Sequence, residues 1–121
     1  MTLVDTSVWI DHFRRPNATL AQLLTNDEVC THRFVIGELA CGSIPDRERT
    51  LARLELLPSL GTASDNEVRG LIEIHRLWGS GIGWVDVHLL TTAAIAKCKL
   101  LTVDGKLHQA AARLGIAYPV Q

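Results

Sequence analysis

The chain has 121 residues, 47% of them apolar, and sets 12 Lys and Arg against 13 Asp and Glu for a net charge of −1. That length predicts a single domain over 1–121, with enough apolar residues for a core and too many for a disordered chain. The balance of charge excludes a globally basic nucleic-acid binder, although collecting four of the acids in one place would leave the remaining surface positive.

The elements follow in chain order. Thr2-Leu3-Val4-Asp5 reads as a short buried strand. Ser7 to Phe13 is expected to be a helix capped by Thr6 or Ser7, with Trp9, Ile10 and Phe13 on one side and Pro16 beyond its end. Leu20, Leu23 and Leu24 mark a second short helix, Val29 to Thr31 a strand, and Phe34 to Cys41 a helix stopped by Gly42. Asp46 to Leu57 reads as a helix closed by Pro58, and Leu60 to Thr62 as a weak strand. Ser64 and Glu67 form a capping box ahead of a helix whose apolar stripe is Val68, Leu71, Ile72, His75 and Trp78. Gly79 to Gly83 is a loop, Val87 to Lys97 a helix rich in small residues, and Lys99 to Val103 a strand. Lys106 to Leu114 is a helix, and Ala117 to Val120 a last strand. Short strands separated by helices predict a parallel α/β sheet with helices on both faces and a ligand site at the C-terminal edge of the strands.

Four acids stand against apolar runs. Asp5 ends Leu3-Val4, Glu38 interrupts Phe34 to Ala40, Asp86 precedes Val87 to Ala96, and Asp104 ends Leu100 to Val103. A carboxylate beside a core costs several kcal/mol to desolvate unless it is paired, protonated or metal-bound. Two carboxylates ~4 Å apart repel by about 4 kcal/mol at an effective dielectric near 20, so a shared pocket calls for cations. Hard oxygen ligands select Mg²⁺ or Mn²⁺, and the natural reaction is phosphodiester hydrolysis by a metal-activated water. Each acid also has an ordinary reading. Asp5 and Asp86 suit helix caps, Asp104-Gly105 a turn, and Glu38 an Arg partner. The placement of all four together favours a site.

Val4-Asp5-Thr6-Ser7-Val8-Trp9-Ile10-Asp11 resembles the opening strand and turn of PIN-domain ribonucleases. Glu38-Leu39, Asp86 ahead of its small-residue helix, and Leu101-Thr102-Val103-Asp104 resemble the later acidic positions of that family, in order and over nearly the whole chain. The length resembles the VapC toxins of type II toxin–antitoxin pairs. The resemblance implies a PIN-like three-layer α/β/α sandwich around a parallel sheet and Mg²⁺- or Mn²⁺-dependent endoribonuclease activity on RNA. It further implies inhibition by a VapB-like antitoxin, and a homodimer. Carried over, Asp5, Glu38 and Asp86 are the central catalytic and metal-site acids, Asp104 is the fourth, and Thr6, Ser7 and Thr102 are supporting polar residues. Most members carry a bulkier or charged residue where this chain has Gly105.

Arg14 and Arg15 follow the helix that starts beside Asp5 and are candidates for RNA phosphate contact, whereas Arg47, Arg49 and Arg53 read as a solvated face. His88 lies two residues after Asp86, about 200° around a helix, so the two cannot share a site. Cys30, Cys41 and Cys98 are odd in number and form no C-x-x-C, which suits reduced thiols in a cytoplasmic protein. No apolar run approaches the roughly 18 residues of a membrane span, and no leader precedes Asp5. The alternatives are a catalytically silent PIN-like binding module and a phospho-receiver signalling domain. The latter needs an acidic pair after its first strand, where this chain has Asp5 alone.

Overall fold

A computed structural model describes residues 1–119. Its sheet is parallel and has the order β2-β1-β3, from Thr2–Val4 (β1), Val29–Cys30 (β2) and Lys99–Leu101 (β3). Single parallel bridges extend it at both edges, Thr31 to Ser59 beyond β2 and Leu100 to Ala117 beyond β3. The strands are short because each is an apolar run closed at once by a polar residue. Leu3, Val4, Cys30 and Leu100 are fully buried, as befits strands covered on both faces.

The helices are α1 (Thr6–Arg14), α2 (Ala18–Thr25), α3 (Arg33–Cys41), α4 (Arg47–Glu55), α5 (Asp65–His75), α6 (Trp84–Ala96) and α7 (Gly105–Arg113). The chain leaves β1 toward β2, then returns past β1 to β3. Right-handed connections in both directions place helices on both faces of the sheet, giving the expected α/β/α layering. No helix among the described residues is long and apolar enough to cross a membrane.

The main departures from the sequence reading are local. α1 begins at Thr6 with Asp5 in the cap position, yet no side chain caps it. The hydroxyls expected to cap are engaged elsewhere, Thr6 with Glu38 and Ser7 with Asp5. The Ser64–Glu67 capping box is present in both directions, at 3.1 and 2.9 Å. The helix it starts ends at His75, because Arg76 turns left-handed (φ 52°). Trp78 is therefore off the stripe and 60% exposed. α6 starts three residues earlier than expected, at Trp84. Pairing near the weak strand candidate centres on Ser59, and the last strand contracts to the Ala117 bridge; Val120 lies outside the described residues.

Candidate active site

β1 and β3 are direct neighbours, with Val4 opposite Leu101, and the amide of Asp5 donates to the carbonyl of Leu101 at 2.9 Å. Asp5 and Thr102 are thus the first residues past paired strands. Connections leave β1 toward β2 and leave β3 toward the opposite edge, so the chain direction switches between them. Crevices at such switch points, outside the strands' C-terminal ends, are where ligands bind in open α/β sheets.

Each of the four acids is held by one oxygen. Asp5, 6% exposed, accepts through Oδ2 from the Ser7 hydroxyl at 2.7 Å and the Thr102 hydroxyl at 2.8 Å. Glu38 accepts through Oε1 from Thr6 Oγ1 at 2.7 Å. Asp86, inside the first turn of α6, accepts through Oδ2 from the Gly83 amide at 3.1 Å. Asp104 accepts through Oδ1 from the amides of Lys106 and Leu107, capping α7. Among the described residues the second oxygen of each carboxylate carries no protein hydrogen bond, and none of the four acids has a cationic partner: the ion pairs are Arg49–Asp46 and His88–Asp65.

The four acids also feel one another. Burial raises the Asp86 carboxyl above its ordinary pKa; the Gly83 amide opposes this, and the charges of Asp5, Asp104 and Glu38 raise it further. Asp86 thus lies within electrostatic reach of Asp5, Glu38 and Asp104. The first turns of α1, α6 and α7 begin at or beside three of the acids, and the positive ends of their dipoles offset part of the repulsion.

Among the described residues no group of three or more His, Cys, Asp or Glu is placed to hold a metal ion on its own. That suits a hard cation such as Mg²⁺, which keeps several waters and takes one or two carboxylates plus substrate oxygens.

Thr6, Ser7 and Thr102 each hydrogen-bond to one of the acids, and Thr102 Oγ1 also accepts from the Asp104 amide at 3.1 Å. The Asp5 cap reading fails because its side chain makes no cap bond, and the Arg-partner reading of Glu38 fails because Thr6 holds it. Asp104-Gly105 is no free turn but the start of α7, which Asp104 caps through Oδ1. Arg14 lines an apolar groove of about 330 Å³ together with Ile10, Phe13 and Glu38, and joins Arg15 in a polar cleft of about 470 Å³. His88 points away from the acids into a packed aromatic row with Phe34 and Trp84, ring centroids 4.9 and 4.7 Å away. Sequence reasoning missed Asn17, Thr19, His108 and Tyr118, which line a cleft running on from Thr102 and Asp104.

Comparison with known proteins places this architecture. The PIN domain family model matches residues 2–113, and the chain belongs to that family. It is 44% identical over 118 residues to "Ribonuclease VapC32" of Mycobacterium tuberculosis, in strains CDC 1551 / Oshkosh and ATCC 25618 / H37Rv, covering 97% of this chain and 95% of each relative. Its backbone is similar to the crystal structure of PAE2754 from Pyrobaculum aerophilum, with a TM-score of 0.63 at 16% identity over 94% of both chains.

Proposed function

We propose that this chain is a single-domain, metal-dependent endoribonuclease, the toxin of a VapBC-like pair acting on cytoplasmic RNA. The observation that carries the reading is the acid pocket: four carboxylates without a cation, each fixed through one oxygen and open at the other. Membership in the PIN family and the name of the relatives support the substrate class. A bound Mg²⁺ or Mn²⁺ supplies activation of water and neutralisation of charge at the leaving oxygen. Asp5, Glu38 and Asp86 hold the ion, and Asp104 shapes the pocket through its remaining oxygen. Ser7 and Thr102 fix the Asp5 carboxylate, and Thr6 fixes Glu38, so little reorganisation is needed on binding. Arg14 and Arg15 have no ion-pair partner among the described residues and are placed to take RNA phosphates. The apolar groove of Ile10, Phe13, Leu39 and Ile44 beside Glu38 fits an antitoxin segment, and the chain works as a homodimer.

The test is cleavage of total bacterial RNA by antitoxin-free protein with Mg²⁺ or Mn²⁺, with EDTA, and with Asp5→Asn. Discrete fragments ending in 5′-phosphate and 3′-hydroxyl, lost in EDTA and in the variant, are expected. Cyclic 2′,3′-phosphate ends would instead make the ribose hydroxyl the nucleophile and refute the hydrolytic mechanism.

A further inference from the structure

We infer that the cleft between the start of α2 and the turn from β3 to α7 is a nucleobase pocket that sets the sequence preference of this enzyme. The inference rests on the nuclease reading for its occupant, RNA, and adds where a base is read.

The cleft has a volume of about 290 Å³ and includes Asp104 and Thr102, whose hydroxyl holds Asp5, in its lining, so it adjoins the acids. That is near the lower end of small-ligand sites, roughly 300 Å³, a size for a base rather than a folded segment. Tyr118 and His108 supply flat, half-buried aromatic surface. Asn17 and Thr19 supply polar edges. Asn17 Oδ1 is occupied capping α2 through the Leu20 amide at 2.9 Å, which leaves its amide NH₂ as the free group. Among the described residues the side chains of Thr19, His108 and Tyr118 make no hydrogen bond to protein. Aromatic faces with unspent hydrogen-bonding groups are how single-stranded bases are held and distinguished.

A second feature is that Gly105 adds no side chain to the lining. A Cβ built there meets no heavy atom within 4 Å. As the first residue of α7, Gly105 is not required by the backbone, so a larger side chain would extend into free space. The far side of Asn17 borders the polar cleft of Arg14 and Arg15. Cationic side chains, base-sized cleft and acid pocket therefore follow one another along a single track, the order a phosphate, its base and the scissile bond require.

Cleavage of a random-sequence RNA pool by wild type, Gly105→Leu, Tyr118→Ala and an Arg14→Ala/Arg15→Ala double variant reads the pocket directly. In wild type one position near the cut should prefer its base by at least about tenfold, the scale of one base–aromatic stack. In Gly105→Leu and Tyr118→Ala that preference should collapse to within about twofold, while the arginine variant slows all sequences alike. Gly105→Leu improves helix propensity and meets no clash, so it keeps the test alive if Tyr118→Ala does not fold. In parallel, short RNAs carrying 2-aminopurine are bound to the Asp5→Asn protein, where stacking in the cleft quenches fluorescence and Gly105→Leu should abolish the quenching. An unchanged preference in both cleft variants, or quenching that survives Gly105→Leu, would overturn the pocket. Quenching lost in Gly105→Leu but no cleavage by wild type would sink the nuclease reading and leave the pocket standing.

Discussion

The acid side and the histidine side of α3 and α6 treat charge in opposite ways: Glu38 on α3 is exposed and Asp86 on α6 half-buried, whereas His32, the cap of α3, and His88 on α6 are buried. Toward the sheet edge, Glu38 and Asp86 join Asp5 and Asp104 in a pocket with hydroxyl and amide donors but no cation. On the other side, His32 and His88 are 0% and 2% exposed and stack into a row, His32–Phe34–His88–Trp84, with centroids 4.7 to 4.9 Å apart. Asp86 and His88 are two residues apart, about 200° around the helix, so one turn of α6 serves both sides. Burial disfavours the charged form of His32, whereas Asp86 sits among the like charges of Asp5, Asp104 and Glu38, which a cation or a proton neutralises. A buried titratable group is therefore not in itself a sign of chemistry. The distinguishing mark is whether the neighbours remove the need for charge or sustain it.

The strongest way to break this contrast is Asp86→Asn. Cleavage should be lost, while the metal-free protein should melt at the same or a higher temperature, because the substitution removes a carboxylate whose charged form the fold disfavours. The sign follows from the raised pKa: the charge costs stability above that pKa, and the cost disappears as pH falls through it. A metal-free Asp86→Asn protein that unfolds would show the acid to be structural and the contrast mistaken.

The histidine side predicts the opposite response to acid. Burial, then the neighbouring His88 and Arg33, push His32 down from 6.5 to about 4. Its neutral form is the one the fold accepts, so the stabilisation is complete above 6.5 and is lost as pH drops from there toward 4. At full loss this amounts to about 3 kcal/mol. Urea denaturation at pH 7 and pH 4.5 should show much of it in wild type. His32→Asn can still accept the Phe34 amide, as His32 Nδ1 does at 3.0 Å, and should flatten this part of the pH dependence. An equal acid loss in the variant would assign the effect to other groups.

How far this contrast can be read from sequence depends on the element. Asp5 and Asp104 are legible because each closes a short apolar strand, and parallel neighbours send such ends to one edge. Asp86 is legible as an acid before a helix, but its place inside the first turn is not, since Gly83-Trp84-Val85 has no side-chain cap to announce a start. Trp78 misleads: the 3.6-residue period continues in the sequence, but the left-handed Arg76 has already ended the helix. His32 gives no periodic signal because it stands between a two-residue strand and a helix it caps. Asn17, Thr19, His108 and Tyr118 meet only because α2, α7 and the segment after Ala117 converge, and no local pattern encodes that meeting.

The smallest expected effect sharpens the acid side alone. Thr102 is nearly buried, donates to Asp5 Oδ2 at 2.8 Å and accepts from the Asp104 amide at 3.1 Å, so one hydroxyl links two of the acids. Thr102→Val keeps the shape and removes that link. Outer-shell losses of this kind cost roughly 10- to 100-fold in metal affinity or activity. Stability should fall by only about 1 kcal/mol, since the Asp104 amide lies near solvent and Ser7 still holds Asp5. Thr102→Ser restores the hydroxyl and should recover most of the activity while giving up the methyl packing. Mn²⁺ titration of the cleavage rate separates the two contributions. A raised metal requirement in Thr102→Val that Thr102→Ser reverses means the hydroxyl positions the carboxylates. Loss in Thr102→Ser with none in Thr102→Val would mean that the methyl group, and the packing of the β1–β3 edge, is what the site depends on.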